Sequence, residues 1–491
     1  MSSSFPSLPQ ELLIQIMICL DSHSILHMAL SCRSFHEAFR ESKRIRYIYE
    51  LGMNSLQDAG SGKPTDELLG LLRDRQKAWA TLEWKSVLQI PPTHDRFEKS
   101  AGILAGLHVD GIRVVYLPSS TQRVRTIHHS IHDMPFFNHF AIDANQDLII
   151  LVEIVPLSNK RRIGLHCRTI STNEAHPNAS SGGILEIEIR KEAYAVALFS
   201  MKVWLADNVV ASCGAWNGKF ILLLWNWTTG LLLFNSCEDV LPCPSLDIEL
   251  QFDFLRQDAF LLAEAWSGQI FIYRFSPTTP GIPVHVASFG LPPTAPLADA
   301  SYTRVISGQF QPRPTPGMPF MHLPESRVHT FFINYLHIAY LLFVRSSTFL
   351  RYVDATGVSE AQDVPWEVWG ERESRFMEVD TEGGRNINGS DAINAHGSRV
   401  IHGFPDRTTI EVLDFSSTQA RLASPVCTRY GSDNPTIVPR KEVFTQDVVT
   451  RLPYWAVSRA MEGEPDAYMI DEERIIVFDR SDTSDIRVYS L

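Results

Sequence analysis

The densest set of potential ligands in the chain is Ile127-His128-His129-Ser130-Ile131-His132-Asp133, three imidazoles and a carboxylate close together. Imidazole and carboxylate suit zinc and its neighbours in the first transition row. No helical periodicity surrounds these histidines and the HExxH order is missing, so the segment reads as a solvated loop. Gly60-Ser61-Gly62-Lys63 has the texture of a phosphate-cradling loop, but position 57 is Gln where GxxxxGK[ST] needs its first Gly. Pro64 follows the lysine and no apolar strand precedes it, which excludes nucleotide binding there. The seven cysteines are scattered, and the nearest pair, Cys237 and Cys243, has no second Cys/His pair at zinc spacing. A GxSxG elbow is absent. The mixed runs Glu371-Arg372-Glu373-Ser374-Arg375 and Asp471-Glu472-Glu473-Arg474 read as solvated faces. The expectation is a chain with no catalytic residue, no cofactor and no metal ligand.

Composition narrows the partners. The chain has 491 residues, 44% hydrophobic and 20% charged, close to globular averages and too long for one ordinary compact domain. A net charge of −12 argues against nucleic acid, which calls for a basic footprint. The short basic runs Lys43-Arg44-Ile45-Arg46 and Lys160-Arg161-Arg162 read as solvated faces. The start, MSSSFPSLPQELL, lacks a basic n-region and carries Glu11 in its apolar part, so no signal peptide is expected. Phe331–Val344, FFINYLHIAYLLFV, is shorter than the ~20 apolar residues of a span and reads as buried strands. Dispersed cysteines fit a reducing compartment, so the expected location is the cytoplasm or nucleus, with no membrane partner.

The elements able to position a functional surface begin at the N-terminus. Ser7-Leu8-Pro9-Gln10 is a helix start, with Ser7 as cap candidate. Leu12, Ile16 and Leu20 then recur every fourth residue, and Leu13 and Met17 widen the stripe. Asp21 or Ser22 starts a second helix bearing Ile25, Leu26, Ala29 and Leu30, and Ser31 can cap a third with Cys32, Phe35 and Phe39. Three such helices bury too little surface to offset their chain entropy, so they must pack on another body, in this chain or another. Lys43–Leu51 continues as helix and 58–65 is a flexible break. Asp66-Glu67 then opens an amphipathic stalk with Leu68, Leu71, Leu72, Trp79 and Leu82, running as far as Trp84.

Leu8-Pro9-x-Glu11-Leu12-x-x-x-Ile16-x-x-x-Leu20, followed by Leu26-x-x-x-Leu30-x-Cys32-Arg33-x-Phe35, resembles an F-box. His23-Ser24-Ile25 departs mildly from the family, which often has an acidic or polar turn and then leucine there. The resemblance implies a small helical module that docks on a Skp-type adaptor and through it on a cullin-RING ubiquitin ligase. It also implies that Leu8, Pro9, Leu12, Ile16, Leu20, Leu26 and Leu30 supply the adaptor face or its support.

From about residue 100 the texture becomes short β-rich runs with turn residues between them. Val109–Pro118, Phe140–Glu153, Val209–Leu233, Phe252–Phe275, Phe331–Val353, Arg399–Phe415 and Tyr468–Tyr489 make about seven meander units. Radial repetition covers the edges and faces that such units leave open, and predicts a β-propeller; a pair of β-sandwiches is the alternative. Trp225-Asn226-Trp227-Thr228-Thr229-Gly230 resembles the end of a degenerate WD-repeat blade, with Asn226 in place of the acid. Pro277–Pro324, dense in proline, reads as one extended loop.

The reading is therefore a multidomain α plus all-β chain: F-box module 4–48, linker and amphipathic helix 49–98, propeller 99–491. Its order of parts resembles the large F-box sets of mushroom-forming fungi. The resemblance implies a non-catalytic substrate receptor of an SCF-type ubiquitin ligase, holding the Skp adaptor on the box and an unidentified target protein on the propeller. The alternative is an interaction scaffold whose helices cap the propeller or bind an adaptor without recruiting a ligase.

Overall fold

A computed structural model describes residues 8–91, 96–107, 110–118, 124–131, 137–158, 160–190, 201–216, 219–242, 250–264, 266–296, 298, 300–315, 317–336, 338–355, 360–379, 393–403, 408–416, 426–463, 465–479 and 486–491.

Helices come first: α1 (Gln10–Met17), α2 (Ser22–Ser31), α3 (Arg33–Glu41), α4 (Lys43–Met53) and α5 (Thr65–Thr81). Asp21 caps α2, its Oδ1 accepting from the backbone N–H groups of His23 and Ser24 at 2.9 Å each. The other expected caps differ. Pro9 is the N-cap of α1 and Ser7 lies outside the described residues. α3 starts from Cys32 without a side-chain cap, because the Ser31 hydroxyl donates back to the Met28 carbonyl at 2.7 Å. Met17, Ile25, Ala29, Ala38 and Ile45 meet in a small core shared by α1 to α4. A second core ties Tyr47 and Leu51 of α4 to Leu68, Leu69 and Leu72 of α5 and to Phe320 of the body.

Behind the helices, seven sheets repeat the same up-and-down meander. Their innermost strands are Arg96–Ser100, Phe137–Asp143, Met201–Ala206, Gln251–Arg256, Ala300–Ser307, Ile393–His396 and Pro465–Ile470. Neighbouring innermost strands contact one another in chain order, so the sheets stand as blades around an axis. The side-chain alternation explains why blade strands read as continuous apolar runs. In Lys219–Asn226, Phe220, Leu222 and Leu224 join the core toward the fourth blade, whereas Ile221, Leu223 and Trp225 join the core toward the second. Both faces are buried, so both parities must be apolar.

Ring closure uses an N-terminal strand. Ser86–Ile90, just beyond α5, is the outermost strand of the seventh blade and pairs antiparallel with Ile486–Ser490, Val87 opposite Tyr489 and Leu88 opposite Val488. The propeller thus begins inside the segment expected to be linker.

Three local expectations are corrected. Pro277–Pro324 is not a single loop: it contains Val284–Gly290, Ala300–Ser307 and Phe320–His322. Its prolines fall between these strands, where no ladder N–H is required. His128 and His129 sit on the strand Arg125–Ser130, with His129 Nε2 2.7 Å from the Ile170 carbonyl; His132 and Asp133 lie outside the described residues. Asp471, Arg474 and Arg375 are buried, not solvated.

Candidate docking face and stalk junction

α1 is apolar on two sides. Leu13 and Met17 turn into the helical core, while Leu12 and Ile16 point away and are 49% and 40% exposed. Leu8 and Pro9 before α1, and Leu30 at the end of α2, are exposed as well, Leu30 at 72%. Of the residues expected on the adaptor face, these five lie outward. Leu20 and Leu26 are half-buried, Leu20 against the helical core. A short helix that shows leucine and isoleucine to water on one face while its other face is satisfied has surface to spare.

α5 and the segment after it fix this module to the propeller. The Trp79 indole is buried and carries the Arg399 guanidinium 4.3 Å above its ring. Arg399 Nε donates in turn to Asp414 at 2.9 Å. Trp84 packs against Tyr489 with ring centroids 4.7 Å apart, beneath Arg459 at 3.5 Å. Arg459 also donates to the Leu82 carbonyl, where the backbone turns left-handed at φ 49° to end the helix. Leu56–Asp58 adds a two-stranded sheet with Phe320–His322.

A charged knot lies beside these contacts. Arg75 of α5 donates to Glu472, which lies 3.4 Å from His322 Nε2 and 3.2 Å from His396 Nε2. Burial, reinforced by the nearby Arg75 and Arg399, pushes the His322 imidazole down to about 3. Glu472 is held well below the usual carboxylate range by His322, Arg75 and His396, against the upward push of burial. Arg75, His322 and His396 come from separate stretches of sequence, so no spacing joins them to Glu472. The one local signal is Asp471–Arg474 as a tight charged turn between the apolar runs Tyr468–Ile470 and Ile475–Phe478.

Two other constellations went unread in sequence. Ser346 Oγ is 2.8 Å from His329 Nε2, and His329 Nδ1 is 2.7 Å from Asp253, the order of a nucleophilic triad. Ser346 and His329 are wholly buried and Asp253 is 7% exposed, so no substrate reaches the hydroxyl. Asp253 belongs to the fourth blade and the other two to the fifth; the triad is an inter-blade tie. Along the axis runs a cavity of about 630 Å³ lined by Glu98, Lys99, Lys202, Asp253 and Arg304 among others. Burial raises Glu98 to about 7 and lowers Lys99 to about 8.

The fold defines a β-propeller protein with a helical module docked on one rim. Residues 5–45 match the F-box-like family, and the module is an F-box-like domain ahead of a seven-bladed propeller. No curated protein matches the chain. Among solved structures, Kluyveromyces lactis Hsv2p is 10% identical over 66% of this chain and 93% of that one, with a TM-score of 0.27. Kluyvelomyces marxianus Hsv2 is 9% identical over 66% and 92%, at 0.26. The uncharacterized protein lmo1340 from Listeria monocytogenes EGD-e is 10% identical over 70% and 99%, at 0.29. No described helix is long and apolar enough to cross a membrane.

Proposed function

We propose that this protein is the substrate-recognition subunit of an SCF-type cullin-RING ubiquitin ligase. The observation that carries the reading is the outward apolar set Leu8, Pro9, Leu12, Ile16 and Leu30 on an F-box-like domain. Those residues dock a Skp-type adaptor, and Leu20 and Leu26 support them from behind. The propeller carries the target protein. Transfer of ubiquitin belongs to the partners, and this chain contributes proximity and orientation.

The stalk contacts support a directional arrangement. The stalk rim carries the turns between first and second strands, where Glu472 and the Gly397 turn lie. The opposite rim carries the turns between second and third strands, including exposed Trp266 and Leu336 at 58% and 40%. The target sits on that opposite rim, away from the adaptor. A scaffold whose helices merely cap the propeller gains no support from a face left in water.

The test is a pull-down of purified Skp-type adaptor with the native chain and with Leu12→Asp/Ile16→Asp. The double variant loses adaptor binding while its Tm stays near native, because exposed substitutions shift stability by only about 0.5 kcal/mol each. Failure of the native chain to bind the adaptor removes the ligase reading.

A further inference from the structure

His322, His396 and Glu472 come from three separate stretches of chain: the insertion of the fifth blade, the first turn of the sixth and the first turn of the seventh. One donor atom from each falls within 4.8 Å of the other two. The closest spacings are 3.4 Å from His322 Nε2 to Glu472 Oε2 and 3.2 Å from His396 Nε2 to Glu472 Oε1. A tetrahedral ion bound through nitrogen and oxygen at about 2.0–2.1 Å sets its ligand atoms roughly 3.3–3.4 Å apart, close to each spacing; the two end on different oxygens of the carboxylate, so an ion draws one of these oxygens toward both rings. We propose that these three side chains form a metal site at the stalk–propeller junction that takes a borderline divalent cation, Zn²⁺ in the first place. The inference does not depend on the adaptor reading.

Several features suit the site to that ion. Two imidazoles and a carboxylate are a zinc donor set with one position left over. A cavity of about 30 Å³ opens against all three residues, with room for a bound water as fourth ligand. The His322 ring is fixed in place. Gly397 lies flat against it at φ +56°, and a Cβ there would meet the imidazole at 2.3 Å. Nε2 of His396, the ligand atom on that ring, is buried and has no partner of hydrogen-bond geometry.

Arg75 opposes the ion. Its Nη2 donates to Glu472 and lies 3.4 Å from His322 Nε2, so guanidinium and metal compete for the same two side chains. The competing interpretation is a plain hydrogen-bonded clasp in which Arg75 is the only cation the site needs. The two differ in what happens when Arg75 goes. In the clasp, losing it leaves a buried carboxylate unpaired; in the metal site, losing it removes a repelling charge.

The experiment uses the full chain, stripped with chelator and exchanged into chelator-free buffer, titrated with Co²⁺ alone and then with Zn²⁺. The expected result is one ion per chain, a visible cobalt spectrum of four-coordinate intensity, and its displacement by zinc. His396→Ala and the isosteric Glu472→Gln each weaken binding by more than the roughly 10–100-fold that loss of an outer-shell partner costs. Arg75→Gln tightens it by at least about tenfold. Circular dichroism confirms that each variant is folded, and Glu472→Gln carries the comparison if His396→Ala is not. Absence of binding by both the native and Arg75→Gln proteins overturns the site, as does binding that none of the three substitutions moves.

Discussion

At the scale of single residues, the most consequential side chains are those that hold the stalk. Trp79 is 2% exposed, lies in the core shared with Ile401, Val412 and Tyr489, and carries Arg399 on its face. Trp79→Ala is expected to lower stability by about 3–5 kcal/mol, read from denaturant unfolding. Titration gives a second expectation. Burial holds His285 and His329 below the ordinary imidazole range, and in both it is the largest cause. Both stay neutral in the folded protein while the unfolded chain takes up protons around pH 6.5, so each contribution is full above that pH. Each is lost as pH falls toward the folded value. In the presence of chelator, Tm should therefore drop between pH 7 and pH 5; a flat profile would count against the neutral buried imidazoles. Individual residues were the least legible scale in sequence. Asp471–Arg474 has the composition of a solvated face, yet the turn lands at a junction between blades and stalk. There Arg474 Nη1 pairs with Asp471 at 2.9 Å and its Nε donates to the Pro118 carbonyl. Nothing within a few residues reports a partner hundreds of positions away.

Elements were more legible where the local pattern and the burial agree. The Asp21 cap, the acidic first turn of α5 and the apolar hairpins are local signals, and the structure contains each element. The turn Thr228-Thr229-Gly230 shows why the acid of a WD-type blade is dispensable here. Asn226 Oδ1 accepts from the N–H groups of Thr228 and Thr229 and from the Thr228 hydroxyl, and Gly230 takes φ +74°. Legibility failed where tertiary context overrode composition. Proline density hid the strands Val284–Gly290 and Ala300–Ser307. The helix Ser346–Val353 corrects the end of the run Phe331–Val353, expected as a β-meander unit, and the helix Trp366–Glu373 was not foreseen; both are inserted before the last strand of the fifth blade. Trp366 and Trp369 of that insertion pack among Phe289, Phe349 and Phe376, so it is core rather than decoration. The apolar face of α1 was legible as a stripe but not as two stripes, because a period of 3.6 alone does not say which apolar face stays in water.

For the whole molecule, the architecture links an F-box-like helical module to a ring through α5, the Leu56–Asp58 strand and the closing strand Ser86–Ile90. The ring is sealed by Ser86–Ile90 and Ile486–Ser490, with Ile90, Ile486 and Val488 buried in one core with Leu104 and Val115 of the first blade. A chain ending before Ile486 should lose its closing pair and expose two strand edges. The expected outcome is a soluble-fraction yield far below native and a broadened thermal transition, measured on expressed full-length and truncated proteins. Native-like melting of the truncated chain would show that seven blades hold without their seal.

That seal also sets an order of events at the ribosome. The helical module and stalk emerge before the blades and have local partners with which to fold, whereas Ser86–Ile90 must wait for Ile486–Ser490, made only after all the strands between them. At about 5–20 residues per second the wait is on the order of a minute. Throughout it the nascent chain shows its outward leucines and an unpaired strand together, so a partner that grips the helices meets a ring that is not yet closed.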